Sequence, residues 1–576
     1  MRQKNLMDAL AKERTLVVHQ FCARWVYESG IPFHSIDNDG FKQFVEAVGK
    51  YGPGYRPPSQ YQLREPLLKE QVERTKGILK KQEEEWAQNG CSVMTGKRRS
   101  IMNFCVNSRQ GTTFISSVEC SKDAHTGQFI FDYVDKCIEE VGSKNVIQVV
   151  TDNAANNMVA ANMLIEKRPN LFWTSCAAHT IDLMLEAIGK EPKFKNWIGK
   201  ARTLTIFIYA HHRTLALMRK FTKCKDIVRP GVTRFATSFL TLESLLEKKE
   251  MLRLMFTSDE WTKSKWANTK NGKGAYGIVM SRAFWNGVNL CLKVISPLVK
   301  VLRLVDGDRK PSMGFLYGEL KQAKEDIKMA FNNVENNYRS IIDIIDTKAK
   351  GRLDSPLHMM AYLLNPYYFF KNQEIKDNVM VSDAVFTCIE KFFLDYIDKQ
   401  DQVINMELSK YKEKEGDFGR LLAAKGCSEN NSSYDPGTWW MTYGNSTPTL
   451  QKMAIKILSL TTSSSGCERN WSAFEGIHTK KRNRLDSQRL HDLVYVQFNS
   501  KLINKWARVK NQNVDVLRSL DASMAQSWIV AISDDEEEME EGGGLENGGE
   551  EIDDESETQE DRELDEDDFV SDAEQV

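Results

Sequence analysis

The sequence predicts a mixed α/β fold: one mixed β-sheet covered by helices, followed by a long all-helical block. Three observations carry this reading. Residues 91–119 fall into three short β-prone runs, Cys91–Thr95, Ser100–Val106 and Thr112–Glu119. Helix and strand patterns then alternate, with a helix over Gly127–Val141, a strand over Asn145–Asp152, a helix over Asn156–Lys167 and a strand over Leu171–Thr174. In the fourth of these strands Val146, Ile147, Val149 and Val150 form a nearly continuous apolar run, which suits a strand buried on both faces. From Thr180 to about Lys425 apolar residues recur at helical spacing, as in Leu215–Phe221, Phe239–Phe256 and Phe284–Leu304.

The flanks complete the plan. Met1–Tyr27, Phe41–Lys50 and Glu70–Ala87 read as helices, separated by a Gly/Pro break at Tyr51–Pro58. After the helical block the composition shifts at Tyr434-Asp435-Pro436-Gly437, and Trp439-Trp440 and the helical stretches Thr449–Leu458 and Leu490–Asn499 follow. The expected organisation is an N-terminal helical region (1–88), the first part of the sheet domain (89–190), a helical insertion (191–433) and a C-terminal region completing the sheet domain (434–505). A short helix or linker (506–532) leads into an acidic segment (533–576) expected to be disordered, since it has almost nothing apolar to bury.

A net charge of −2 over 576 residues hides a strong asymmetry. Residues 534–576 hold 23 Asp or Glu and one basic residue, Arg562, so the rest of the chain carries 77 basic against 57 acidic residues, about +20. A basic body of this size suits polyanions, nucleic acid first among them. The acidic segment is expected to contact basic proteins or the chain's own basic body. No apolar stretch reaches the roughly 20 residues of a membrane helix, and the N-terminus lacks a signal-peptide pattern, so the chain is expected inside the cell. Its 11 cysteines include no C-x-x-C pair and read as reduced thiols.

Three constellations can carry chemistry. In Thr151-Asp152-Asn153-Ala154-Ala155-Asn156 an apolar strand ends in a carboxylate and turns into a helix. Asp152 there either caps that helix or holds Mg²⁺, because ligands gather at the carboxyl ends of strands in open α/β sheets. Cys176-Ala177-Ala178-His179 opens the next helix. Zinc needs about four ligands and no second pair stands nearby, so a packing or site-orienting pair is favoured. Finally, Ser463–Ser472 places Glu468 in the first turn of a helix, and the run Lys480-Lys481-Arg482-Asn483-Arg484 either binds phosphates, serves as a nuclear-import address, or is a solvated face.

The ordered set of Val149-Val150-Thr151-Asp152-Asn153, Cys176–His179, Arg229-Pro230-Gly231-Val232-Thr233-Arg234-Phe235, Trp439-Trp440-x-x-Tyr443-Gly444 and Ser463–Ser472 resembles plant proteins of the hAT transposase superfamily. The resemblance runs from about residue 20 to residue 500. It implies an RNase H-like fold interrupted by a helical insertion, a domain of unknown function over Gly90–Lys190 and a C-terminal dimerisation region. It also implies an Asp-Asp-Glu set holding two divalent metals for strand transfer. By position Asp152 is the second carboxylate and Glu468 the third, both remnant metal ligands, with Cys176 and His179 orienting the site. Trp439, Trp440, Trp471 and Phe474 are the implied dimerisation residues, and Lys97, Arg98, Arg99, Arg234, Lys480, Lys481, Arg482 and Arg484 the nucleic-acid contacts.

The sequence departs from that pattern twice. The first carboxylate is expected at the end of the first strand, yet no acid stands between Glu85 and Glu119. The paired Cys and His of a BED-type zinc finger are also missing from residues 1–85. The expected function is therefore a transposon-derived, catalytically inactive homodimer in the nucleus that binds DNA and holds no cofactor tightly. Mg²⁺ would bind only if the acid set were complete. The alternatives are an active Mg²⁺-dependent transposase or nuclease, and a protein-interaction scaffold.

Overall fold

The computed structural model describes residues 2–98, 101–120, 126–229, 236–307, 310–428, 434–477 and 485–511. Helix Pro66–Asn89 stops at Gly90, and the sheet begins one residue later. Gly90 takes a φ of +72°, and a Cβ there would stand 2.7 Å from Cγ1 of Ile147. Both the backbone and the close approach demand glycine at the point where the sequence pattern changes.

Five strands form one sheet: β1 (Cys91–Arg98), β2 (Ile101–Ser108), β3 (Gly111–Glu119), β4 (Val146–Thr151) and β5 (Phe172–Ser175). Their order is β3-β2-β1-β4-β5. The first three make an antiparallel meander, while β4 runs parallel to β1 and β5 parallel to β4. Helix Gly127–Val141 connects β3 to β4 and helix Ala155–Lys167 connects β4 to β5. This is the mixed α+β sheet covered by helices that the sequence implied. β1 runs three residues beyond its predicted end, because Gly96, Lys97 and Arg98 pair with Asn103, Met102 and Ile101. All six residues of β4 are buried, as the apolar run predicts.

Inside the apolar run of β4 stands Gln148, which is fully buried and joins three segments. Its Nε2 donates to Ser92 Oγ on β1 (2.8 Å) and to the Thr461 carbonyl (2.5 Å), and its Oε1 accepts from Thr174 on β5 (3.1 Å). The C-terminal segment is thereby fastened to the sheet. Ala177 N–H donates to the Thr462 carbonyl (2.8 Å), and Thr462 N–H to Ser312 Oγ (3.0 Å).

Between these two halves lies the helical block. Its long helices Arg282–Asp306 and Met313–Ala330 pack against each other, and Arg282–Asp306 also packs on helices Ala177–Lys190 and Pro192–Tyr209. Gly287 makes this possible, since a Cβ there would fall 2.3 Å from the indole of Trp197. Helix Ser487–Asn511 returns to cover β3 and helix Pro66–Asn89. Asn499 takes both backbone groups of Phe114: its Oδ1 accepts from the N–H and its Nδ2 donates to the carbonyl, each at 3.0 Å.

At the N-terminal end, between residues 12 and 67, Val26 is the single buried residue among those described. Helices Arg2–Glu28 and Asp39–Tyr51 touch through stacked rings such as Trp25 and Phe41 (6.1 Å), yet Phe21, Phe33 and Tyr61 stay 65%, 74% and 71% exposed. The acidic segment expected to be disordered lies outside the described residues.

Candidate functional site

The carboxyl ends of β4 and β5 carry two of the site residues singled out in the sequence, Asp152 and Cys176. Asp152 follows β4 directly. Its Oδ1 accepts from Ala154 N–H (3.0 Å) and from Asn157 Nδ2 (2.6 Å), so the carboxylate closes the turn into helix Ala155–Lys167. The helix itself starts from Ala154, which carries no side-chain cap, so Asp152 shapes the turn ahead of the helix.

Cys176 follows β5 and is fully buried. Its N–H donates to the Thr151 carbonyl (2.7 Å), and its sulfur accepts from Ser464 N–H (3.4 Å) beside Ser463 Oγ (3.5 Å). Burial, and after it the negative charge of Glu468, push the thiol above its ordinary range and keep it neutral. Cys176 therefore acts as a packing hub between the strand ends and the serine-rich loop. His179, one turn on, is exposed on helix Ala177–Lys190.

Glu468 ends the short helix Ser465–Glu468, which lies against β1. Cys467 Sγ donates to the Met94 carbonyl at 3.2 Å. Burial, and next the Cys105 thiol beside it, push Cys467 well up, with the Glu468 charge adding to the effect. Met94 pairs with Val150, so Thr95 and Gly96 are the β1 residues that run on beside Thr151 and Asp152. A first carboxylate would be sought at these positions. Neither is acidic, and a Cβ on Gly96 would already touch Cys467 Cβ at 3.4 Å.

This donor set does not fit a two-metal centre. β1 supplies no carboxylate, and one oxygen of Asp152 is committed to the turn. Among the described residues no three His, Cys, Asp or Glu side chains stand close enough to share a metal ion. A two-metal mechanism needs bridging carboxylates from several strands.

The other predicted residues fare differently. Lys97 and Arg98 form the end of β1, while Arg99, Arg234, Lys480, Lys481, Arg482 and Arg484 lie outside the described residues. Trp439, Trp440, Trp471 and Phe474 are not on a surface: all four are at most 7% exposed. Trp439 Nε1 donates to the Ala423 carbonyl (2.9 Å) and Trp440 Nε1 to that of Leu364 (2.7 Å). Phe474 packs edge-on to Phe114 of β3. These aromatics hold the C-terminal region together inside one chain, so direct contact with a partner is corrected to an internal role. Sequence reasoning missed Gln148, although a lone amide inside an apolar strand is a visible signal.

With this geometry in view, two family models match parts of the chain. Residues 58–204 match the domain of unknown function DUF659, and residues 407–500 match the hAT family C-terminal dimerisation region. The second match begins well before Tyr434, at Glu407. No curated protein matches the sequence. These two matches make the chain similar to hAT transposase-like proteins and give it a stretch like that family's C-terminal dimerisation region. Among the described residues no helix is long and apolar enough to cross a membrane.

Proposed function

We propose that this hAT transposase-like chain is a nuclear, nucleic-acid-binding homodimer that does not cut DNA. The observation that carries the catalytic part is β1: beside Asp152 the strand offers Thr95 and Gly96, with Cys467 packed against them. Losing the first of three acids removes the carboxylate that two metals would share. Nucleic-acid binding is supported by the excess of about 20 positive charges outside residues 534–576. The acidic segment would compete with nucleic acid for those cations, and it gives the chain an attraction to basic proteins.

Self-association is supported by the dimerisation region and by the N-terminal helices. Phe21, Phe33, Phe44 and Tyr61 are each at least half exposed, and exposed aromatic rings are suited to contact with another protein surface. In this reading those rings meet a second copy, and the buried tryptophans support the neighbouring fold.

Supercoiled plasmid incubated with Mg²⁺ or Mn²⁺ tests the catalytic part. The expected result is no nicking, identical for the natural chain and Asp152→Asn. Nicking that disappears in Asp152→Asn would establish the active transposase or nuclease instead.

A further inference from the structure

Positive charge in this chain is unevenly spread. Residues 192–225 contain nine Lys or Arg and no Asp or Glu, and residues 261–305 contain eight and again none. Separate in sequence, these stretches meet in space: helices Lys270–Met280 and Arg282–Asp306 both pack on helix Pro192–Tyr209. The fold therefore assembles two acid-free segments into one lobe.

Several of its cations have no ion-pair partner among the described residues. Lys195, Lys200, Lys265, Lys270 and Lys273 are all exposed. By contrast Arg219 and Lys220 are held by Asp226 and Glu260. Two of the free cations are steadied by aromatic rings: Lys200 Nζ lies 5.1 Å from the Trp197 ring centre, and Lys265 Nζ 4.9 Å from that of Trp266. Trp266 in turn packs tilted against His211, with ring centres 3.8 Å apart. A ring beneath an ammonium group limits its motion without neutralising it.

We infer that this lobe is a phosphate-binding face that holds a nucleic-acid duplex by its backbone, independently of sequence. Helix Pro192–Tyr209 has 18 residues and is about 27 Å long, so duplex DNA laid along it would present roughly 16 phosphates. The inference rests on the nucleic-acid reading above and assigns it to residues other than the basic runs Lys97–Arg99 and Lys480–Arg484.

The test is binding of a short random-sequence duplex, DNA in one arm and RNA in the other, to the full chain across a salt series. Replacing Lys195, Lys200, Lys265, Lys270 and Lys273 together by Gln should flatten the slope of log K against log salt by about 4, since each lost phosphate contact removes roughly 0.9. Affinity at physiological salt should fall by about a hundredfold or more. Five exposed lysines elsewhere, Lys42, Lys80, Lys321, Lys350 and Lys399, give a control variant with the same net charge, expected to stay within about threefold of the natural chain. Equal losses in both variants, or an unchanged slope in the first, overturn the inference while leaving the broader reading in place. Failure of the natural chain to bind either duplex overturns both.

Discussion

His358 shows what a single buried group can demand of the chain. It sits in the first turn of helix Pro356–Leu364, fully buried, with Nδ1 2.7 Å from Ser355 Oγ and no partner for Nε2 among the described residues. Burial pushes its pKa down to about 4 from an ordinary 6.5. The folded state therefore keeps the ring neutral while the unfolded chain protonates it. The resulting stability is present above pH 6.5 and is lost as pH falls through about 4, for a total of about 3 kcal/mol. Denaturant melts of His358→Gln between those pH values should show a flatter loss of stability than the natural chain, and parallel curves would contradict this account. Asp152 teaches the complementary lesson: a carboxylate at a strand end draws the eye in sequence, and in the fold its Oδ1 also closes the turn into the next helix.

Glu407 works one level up, on a whole helix. It is 3% exposed, and its Oε2 accepts from Leu450 N–H at 2.6 Å while its Oε1 accepts from Thr449 N–H at 3.3 Å. It thus caps helix Pro448–Leu458 with a charge suited to the positive end of the helix dipole. The turn Gln402–Glu407 is wound wider than an α-helix, and the extra residue aims the carboxylate. Glu407→Ala should cost about 2–3 kcal/mol in denaturant unfolding, because it leaves buried N–H groups unpaired, and Glu407→Gln should cost less. A loss below about 0.5 kcal/mol for Glu407→Ala would mean that water replaces the cap.

These cases mark how far sequence reading reaches. The strands and their crossover helices were legible almost to the residue, because β4's apolar run and the helical periodicity are local signals. The cap at Glu407 was not, since it lies more than 40 residues from the helix it serves. Nor could composition tell whether Trp439, Trp440, Trp471 and Phe474 face a partner or a core, because a large ring suits both. The missing acid on β1 was legible from the outset; only the register located its place beside Asp152 and its occupant, Cys467.

At the scale of the whole molecule the N-terminal helices stand apart from the rest. Elsewhere large apolar side chains gather into buried cores, whereas the segment from residue 12 to residue 67 buries almost nothing. Burying a ring such as Phe21 contributes about 1.5–3 kcal/mol, so a few rings meeting their copies would sustain a dimer. Phe21→Ser, Phe44→Ser and Tyr61→Ser combined should halve the mass measured by light scattering at micromolar concentration. The melting temperature of the dissociated chain should reflect only the lost partner, because these rings add nothing to the interior of one copy. A triple variant that remains dimeric would move the contact elsewhere.

Asn499 has a reach beyond its two hydrogen bonds. β3 has a neighbour on one side only, and an open strand edge is a template on which other chains can polymerise. By supplying one acceptor and one donor to Phe114, the amide imitates a one-residue strand laid along that edge. Helix Ser487–Asn511 is therefore a seal against fibril growth as well as a cover for the core. A chain cut short before Asn499 would leave the Phe114 edge without that partner.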